Sequence, residues 1–167
     1  MHDIIEKRRS IRQFQPEKPV TREQLNRMLE AAMQAPSACN SRPWEFIAVT
    51  KRETLNEIAR VHPYAGMCAT ATAAIIVVAI PQTDRPEGYF PQDCAAATQN
   101  ILLEAVSQGL GTCWCGVYPR DERIASIREL FSINEPKIPF CVIAIGAPAE
   151  APDRKGIFDE SRITFVE

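Results

Sequence analysis

The chain has 167 residues with 19 basic and 21 acidic side chains, a net charge of −2 and 46% hydrophobic residues. This length matches the roughly 100–200 residues of one domain, and the composition excludes a disordered chain. The near balance of charge excludes a global field that would attract nucleic acid or an anionic membrane, so we expect neither as a partner.

The first ten residues, MHDIIEKRRS, are charged and lack the apolar stretch of a secretory signal. The six cysteines are spread along the chain without the pattern of a disulfide framework. No apolar stretch has the roughly 20 residues that a membrane-spanning helix needs. We therefore expect a cytoplasmic protein with free thiols.

Hydrophobic periodicity and turn signals predict alternating helices and strands. In chain order, the predicted elements are a helix at 3–8, a helix at about 22–34, a strand at 44–50, a helix after Thr50, a strand at 73–80, a loop at 81–91, a helix at 93–108, a strand at 112–117, a helix at about 121–131 and a strand at 140–146. The apolar run at 73–80 is typical of a strand covered on both faces. The helix at 93–108 is apolar nearly all round, which indicates a central buried position, and Gly109 ends it. The fold class is therefore α+β, with four or five strands and helices on both faces.

Two of these helices begin with the signature of a capping box, in which two side chains three residues apart bond each other's backbone N–H groups. The first pairs Thr21 with Gln24 before the helix at 22–34. The second pairs Thr50 with Glu53 before the next helix. We expect both pairs to fix where these helices begin.

Residues 147–167 have no helical period and are predicted to form an extended arm. Such an arm would be ordered by docking on another subunit. Arg154 and Lys155 lie on it, where exposed charge usually serves solubility. They gain a further role only if the arm reaches a phosphate held elsewhere in the protein.

A basic run near the N-terminus combines Arg8, Arg9 and Arg12 with the hydroxyl of Ser10. Guanidinium groups match phosphate oxygens with paired hydrogen bonds, and serine adds a donor. The alternative is a solvated basic helix end that is favoured by the helix dipole. The run alone does not decide between these two interpretations.

The loop before the strand at 44–50 is dense in short polar side chains, and Pro36 and Pro43 bound it. Ser37 and Asn40 are able to bond a ligand directly or to satisfy the backbone of the turn itself. Both interpretations stay open at this point.

A glycine-rich stretch covers residues 109–117. Glycine lets a backbone approach a flat ligand closely. The stretch matches neither GxGxxG nor the phosphate-binding P-loop. Cys113 and Cys115 have the wrong spacing for a zinc or thioredoxin motif, so we expect buried structural thiols whose sulfurs share one face of a strand.

The chain has two histidines, His2 and His62. We expect His62 on the surface, and no GxSxG motif accompanies it as a hydrolase would require. No cluster of His, Cys and carboxylates has metal-ligand spacing, so no metal is expected. A site with cations, amides and glycines but few acid–base groups favours a bound cofactor that carries the chemistry.

Four segments together resemble the nitroreductase family in sequence and in order: RRSIRQF, APSACNSRPWEF, DCAAATQNILLEAVSQGLGTCWCGVYP and FCVIAIGAPAE. The resemblance covers nearly the whole chain and is to the short, single-domain branch. It implies one FMN-binding domain over residues 1–167, a three-layer sandwich with a mixed, mostly antiparallel sheet flanked by helices. It also implies that residues 147–167 wrap around the partner subunit.

The resemblance further implies a homodimer that holds FMN at the subunit interface. Hydride would pass from NADH or NADPH to flavin N5, and then to nitroaromatic, quinone or similar acceptors in a ping-pong cycle. Since the flavin carries this chemistry, no side chain is expected to be catalytic.

The same resemblance implies roles for particular residues. Arg8, Arg9 and Ser10 match positions that hold the FMN phosphate and ribityl chain. Arg12 matches a cationic position near flavin N1 and O2, where it would stabilise negative charge. The other implied FMN contacts are Pro36, Ser37 and Asn40 from the partner subunit, Trp114, Cys115 and Gly116 along the flavin, and Arg154 and Lys155 closing on the phosphate.

Arg42 departs from the family pattern, because many relatives have Gln at this position. The added charge would favour an anionic acceptor or the NADPH phosphate; the alternative is a plain surface arginine. Three other functions stay open: a specialised flavin enzyme for flavin breakdown or reductive dehalogenation, a flavin-storage protein without turnover, and a metal–thiol protein.

Overall fold

The computed structural model describes residues 2–83, 86–153, 156 and 158–167. Its helices and strands, in chain order, are α1 (His2–Lys7), α2 (Arg22–Met33), β1 (Trp44–Val49), α3 (Arg52–Val61), β2 (Ala73–Ala79), α4 (Phe90–Ser107), β3 (Gly111–Gly116), α5 (Asp121–Phe131) and β4 (Ile138–Gly146). This order confirms the predicted alternation. The largest correction is α4, which begins at Phe90 because Pro91 fits the first turn of a helix, so the predicted loop at 81–91 is shorter.

The four strands form one antiparallel sheet in the order β1-β2-β4-β3. β4 therefore lies between β2 and β3, although it is the last strand of the chain. Ser10 adds an isolated parallel bridge to Thr112 on the free edge of β3. The expected mixed sheet is thus corrected for the described part of the chain: its four strands pair antiparallel, and the parallel bridge of Ser10 lies outside them.

The sheet is the middle of three layers, as predicted. All of β2 is buried, and its successive side chains point to opposite faces. Ile75 and Val77 belong to the cluster that packs on α2 and α4. Ile76 and Val78 belong to the cluster that packs on α3 and α5.

Helix α4 is the expected buried central helix, with Ala97, Ile101 and Ala105 fully buried against α2 and the sheet. It stops as predicted at Gly109, whose φ of 72° lies in the left-handed region that favours glycine. Among the described residues, no helix is both long enough and apolar enough to cross a membrane.

The first capping box is confirmed and the second prediction is wrong. The Gln24 N–H donates to the Thr21 hydroxyl at 3.2 Å, and the Thr21 N–H donates to the Gln24 side chain at 2.9 Å. Before α3, Lys51 is the extended capping residue and forms no side-chain cap bond. This shift of one residue removes Thr50 from the cap position and places Glu53 at the second helical position.

After β4, the chain first pairs with the N-terminal segment. The Ala149 N–H donates to the Gln13 carbonyl at 2.8 Å, and the Gln15 N–H donates to the Ala147 carbonyl at 2.9 Å. From residue 158 onward, a single 3-10 turn at Glu160–Arg162 is the regular structure of the described chain. The predicted site residues Arg154 and Lys155 lie outside the described residues.

Candidate functional site

The basic segment lies along the free edge of β3. The Ile11 N–H donates to the Thr112 carbonyl at 2.9 Å, and the Ile11 side chain is buried. Gly111 allows this approach, because a Cβ on it would lie 2.8 Å from Cγ1 of Ile11. The contact fixes the chain from Arg8 to Arg12 beside the predicted strand residues.

Arg8, Arg9, Ser10 and Arg12 line one cavity of about 290 Å³ together with Glu150 and Pro152. None of the three arginines forms an ion pair with a residue that the structure describes. The Nε of Arg9 is buried and has no hydrogen-bond partner there. A buried donor without an acceptor is costly, so this cavity has the chemistry of an anion site.

Glu150 holds the basic segment from the C-terminal side. Its Oε1 accepts the backbone N–H of Arg12, and it also accepts the N–H of Gln13 at 3.1 Å. The carboxylate thereby fixes the backbone that carries Arg12. Sequence reasoning missed this residue, since one glutamate after the last strand carries no local signal.

A second cavity of about 580 Å³ adjoins the β3 edge. Its lining residues are Arg12, Pro63, Tyr64, Gly66, Met67, Cys113, Trp114, Cys115 and Gly116. Arg12 lines both cavities, so the structure brings the basic segment together with the predicted residues Trp114, Cys115 and Gly116.

The backbone of β3 alternates between its partner strand and the open edge. Thr112 and Gly116 both face the edge, because their carbonyls accept bonds from Ile11 and from the His62 and Arg123 side chains. The N–H and C=O of Trp114, midway between them, therefore face the same edge in an antiparallel ladder.

The loop with Pro36, Ser37 and Asn40 lies elsewhere, and these three residues line neither cavity. The Ala38 N–H anchors the loop to the Asp93 carboxylate at the start of α4, at 3.1 and 3.2 Å. Within one subunit, the structure thus does not bring this loop to the basic segment.

Arg42 organises the same loop. Its N–H donates to Ser37 Oγ at 2.9 Å, and its Nε donates to Asn40 Oδ1 at 3.0 Å. Cys39, Asn40 and Arg42 all have φ near +50° (49°, 55° and 49°), a region that non-glycine residues rarely adopt. In these two bonds the side-chain oxygens of Ser37 and Asn40 are the acceptors. The Ser37 hydroxyl hydrogen and the Asn40 amide hydrogens therefore remain for another acceptor.

His62 corrects a prediction, because the expected surface histidine is 1% exposed. Its Nδ1 accepts the Tyr64 N–H at 3.2 Å, so the proton sits on Nε2 and bonds the Gly116 carbonyl at 3.0 Å. Burial lowers the pKa of His62, and the charge of Arg123 lowers it further. A signal existed in the sequence: His62 continues the buried stripe of Leu55 and Ile58 on α3.

Cys113 and Cys115 are buried and share the sheet face toward α3 and α5, as expected. A hydrogen bond with Cys113, together with burial, raises the pKa of Cys115. All six thiols are free, and Cys39 is the exposed one. Among the described residues, no group of three or more His, Cys, Asp or Glu side chains is placed to hold a metal ion.

Comparison with known proteins identifies the family. The model of the nitroreductase family matches residues 5–147. A Methanothermobacter thermautotrophicus protein, provisionally named NADH dehydrogenase/NAD(P)H nitroreductase, is 48% identical over 161 residues, which are 96% of this chain and 84% of that protein.

Solved structures agree with this assignment. A Bacteroides thetaiotaomicron protein with the same provisional name has a TM-score of 0.92 and 40% identity, and covers 98% of this chain and 95% of its own. An FMN-dependent nitroreductase from Clostridium difficile has a TM-score of 0.91 and 28% identity, covering 100% and 99%. The chain belongs to the nitroreductase family and is an enzyme of its NAD(P)H oxidoreductase type.

Proposed function

We propose that the chain binds FMN across the two cavities that share Arg12 and passes electrons from NADH or NADPH to nitroaromatic, quinone or similar acceptors. The observation that carries this proposal is the buried Nε of Arg9, which has no partner among the described residues and lies in a group of three arginines that form no ion pair with them. A phosphate would give this donor an acceptor. The adjoining cavity at the β3 edge would take the ring, and both volumes suit a small-molecule site.

At the phosphate end, Arg8, Arg9 and Ser10 supply donors to the phosphate and the ribityl chain. The guanidinium groups pair with phosphate oxygens, and such charge-assisted bonds are stronger than neutral ones. Glu150 contributes indirectly, since it fixes the backbone of Arg12 and Gln13. We place Arg154 and Lys155 near the same phosphate on the strength of the family resemblance alone.

At the ring end, Trp114, Cys115 and Gly116 border the cavity and the open edge of β3. When bound, FMN supplies the two-electron chemistry, accepting hydride from the nicotinamide and delivering electrons to the second substrate. Arg12 holds a positive charge between the two cavities, where it stabilises negative charge on the ring. The edge-facing N–H of Trp114 is available to the ring as a donor.

A second copy of the chain would complete the site. Pro36, Ser37 and Asn40 line neither cavity of their own subunit, and the unused donors of Ser37 and Asn40 suit the polar edge of a partner's flavin. The C-terminal arm carries exposed apolar side chains that association would cover, among them Phe158 and Phe165 at 79% and 81% exposure. We therefore propose a homodimer with FMN at the interface and the arm docked on the partner.

The decisive experiment is anaerobic titration of the purified, FMN-loaded protein, first with NADH and then with NADPH, followed by an acceptor screen. We expect a yellow protein whose flavin absorbance bleaches with either nucleotide and returns with acceptor. A protein that binds no added FMN overturns the proposal. Bound FMN that neither nucleotide reduces points instead to storage or to a specialised flavin enzyme.

A further inference from the structure

We infer that His62 is a positioning residue. It holds the turn that begins at Pro63, which forms one wall of the proposed flavin cavity, against the edge of β3. The inference rests on the proposed function, because the positioned groups are those that would border FMN. His62 is buried and does not line the cavity, but both of its hydrogen-bond partners, Tyr64 and Gly116, do.

The two ring nitrogens have different partners, which fixes the tautomer. Nδ1 accepts the Tyr64 N–H at 3.2 Å and therefore carries no proton, so the Nε2–H donates to the Gly116 carbonyl at 3.0 Å. One side chain thus ties the turn that begins at Pro63 to the last residue of β3. Both hydrogen bonds form together only when the imidazole ring is neutral, because a protonated Nδ1 cannot accept the Tyr64 N–H.

Other bonds join the same two segments. Nη1 of Arg123 also donates to the Gly116 carbonyl, at 3.1 Å, and its guanidinium lies 4.8 Å from the centre of the Tyr64 ring. The Cys115 thiol donates to the Tyr64 carbonyl at 3.3 Å. These bonds together join the turn that begins at Pro63 to the edge of β3. His62 is buried and forms one hydrogen bond to the turn and one to the strand.

This arrangement bears on cofactor binding rather than on packing alone. Gly116 ends the strand whose open edge borders the cavity, and the orientation of its peptide group sets the direction of that edge. Tyr64 is 65% exposed, and the Arg123 guanidinium lies 4.8 Å from the centre of its ring. Without His62, the Tyr64 N–H loses its acceptor and the Gly116 carbonyl loses one of its two side-chain donors.

The test compares His62→Gln with His62→Leu. Gln supplies an amide donor for the Gly116 carbonyl, whereas Leu is similar in volume and supplies none. FMN affinity is measured by fluorescence titration of the full chain, and unfolding in urea is measured in parallel. Thr98→Val is the matched control, because it removes a buried bond to the Cys94 carbonyl, 2.7 Å long, away from both cavities.

We expect His62→Leu to weaken FMN binding about tenfold, because the Tyr64 N–H loses its acceptor and the Gly116 carbonyl loses one of its two side-chain donors. His62→Gln should recover most of this loss. Thr98→Val should lower stability and leave FMN affinity unchanged. Equal FMN affinity in wild type and His62→Leu overturns the inference, as does equal weakening in the Leu and Gln variants.

If His62→Leu does not fold, His62→Asn replaces it, since its shorter amide reaches the Tyr64 N–H and not Gly116. A wild-type protein that binds no FMN overturns the proposed function together with this inference. If the wild type binds FMN and the His62 substitutions leave its affinity unchanged, the inference alone is overturned. The histidine nitrogen spectrum of the flavin-free protein gives an independent readout: a proton on Nδ1 of His62 contradicts the inference.

Discussion

Ile11 lies so close to Gly111 that a Cβ on the glycine would meet three of its side-chain carbons at 2.8–2.9 Å. This contact places the basic segment against β3. The positions of Arg8, Arg9 and Arg12 therefore depend on the absence of a side chain at Gly111. Gly111→Ala should displace Ile11 and destabilise the protein by about 1–3 kcal/mol, as overpacking does. It should also weaken FMN binding.

Urea unfolding and FMN titration of Gly111→Ala check this prediction. Gly156→Ala is the control for stability, because a Cβ at Gly156 meets nothing within 4 Å. Unchanged FMN affinity in a destabilised Gly111→Ala would show that the contact serves packing alone.

Arg9→Ala should separate phosphate binding from ring binding. Its Nε is buried without a partner, so a phosphate that bonds it contributes about 1.5–3 kcal/mol, or roughly ten- to hundredfold in affinity. Riboflavin, which has the ring and no phosphate, is the matched ligand. We expect the variant to lose FMN affinity and to keep its riboflavin affinity, and a parallel loss for both ligands would place Arg9 away from the phosphate.

His62 predicts a pH dependence of stability. Its pKa is lowered from 6.5 in the folded protein, by burial first and then by Arg123, so the folded state binds fewer protons than the unfolded chain. The free energy of unfolding therefore falls as the pH drops below about 6.5. The neighbouring Cys115 thiol does not contribute, because a hydrogen bond with Cys113 and burial raise its pKa.

Urea unfolding at pH 7.5 and pH 5 measures this effect as the difference between wild type and His62→Gln. The glutamine variant has no proton to gain at this position, so its stability should fall less on acidification. An equal change in the free energy of unfolding between pH 7.5 and pH 5 for the two proteins would mean that the His62 ring is not held neutral.

Arg42→Gln should lower the preference for NADPH over NADH. The Arg42 side chain is exposed and its Nε is held by Asn40, which leaves the rest of the guanidinium for an anion. An exposed charge contributes up to about 1 kcal/mol, so the ratio of kcat/KM values should shift several-fold at low salt. Steady-state kinetics at two ionic strengths test this, and an unchanged ratio together with an unchanged acceptor range makes Arg42 a surface arginine.

Deleting residues 158–167 should convert the proposed dimer to monomer. The arm leaves Phe158, Phe165 and Val166 largely exposed within one subunit, and burial against a partner would stabilise an assembly. Light scattering after gel filtration gives the mass of both forms. Pairing of residues 147–149 with the N-terminal segment is retained, so a truncated chain that stays dimeric would exclude the arm as the source of association.

Local patterns predicted the elements well where one pattern dominated. The apolar run of β2 and the all-round apolar helix α4 were predicted because burial on both faces leaves little choice of residue. Thr50 failed as a cap because the backbone at Lys51 decides which residue is extended, and no side-chain pattern reports that. The stripe of Leu55 and Ile58 indicated that His62 is buried, whereas its bond to the Gly116 carbonyl, 54 residues away, has no local signal.

The site was predicted in pieces, and their assembly needed the fold. Arg12 was assigned through family resemblance, whereas its position between two cavities follows from the bridge of Ser10 to Thr112. Tyr64 and Glu150 contribute through contacts distant in sequence, which periodicity and local motifs do not encode.

The place of β4 between β2 and β3 has a consequence for how the protein is made. During synthesis, β3 emerges with no neighbour in the sheet until residues 138–146 have left the ribosome. Long-range strand pairing is slow, and unpaired strands are prone to aggregation. The pairing of β3 with β4 is therefore completed late, and slower translation before β4 would prolong the interval in which the β4-facing edge of β3 is unpaired.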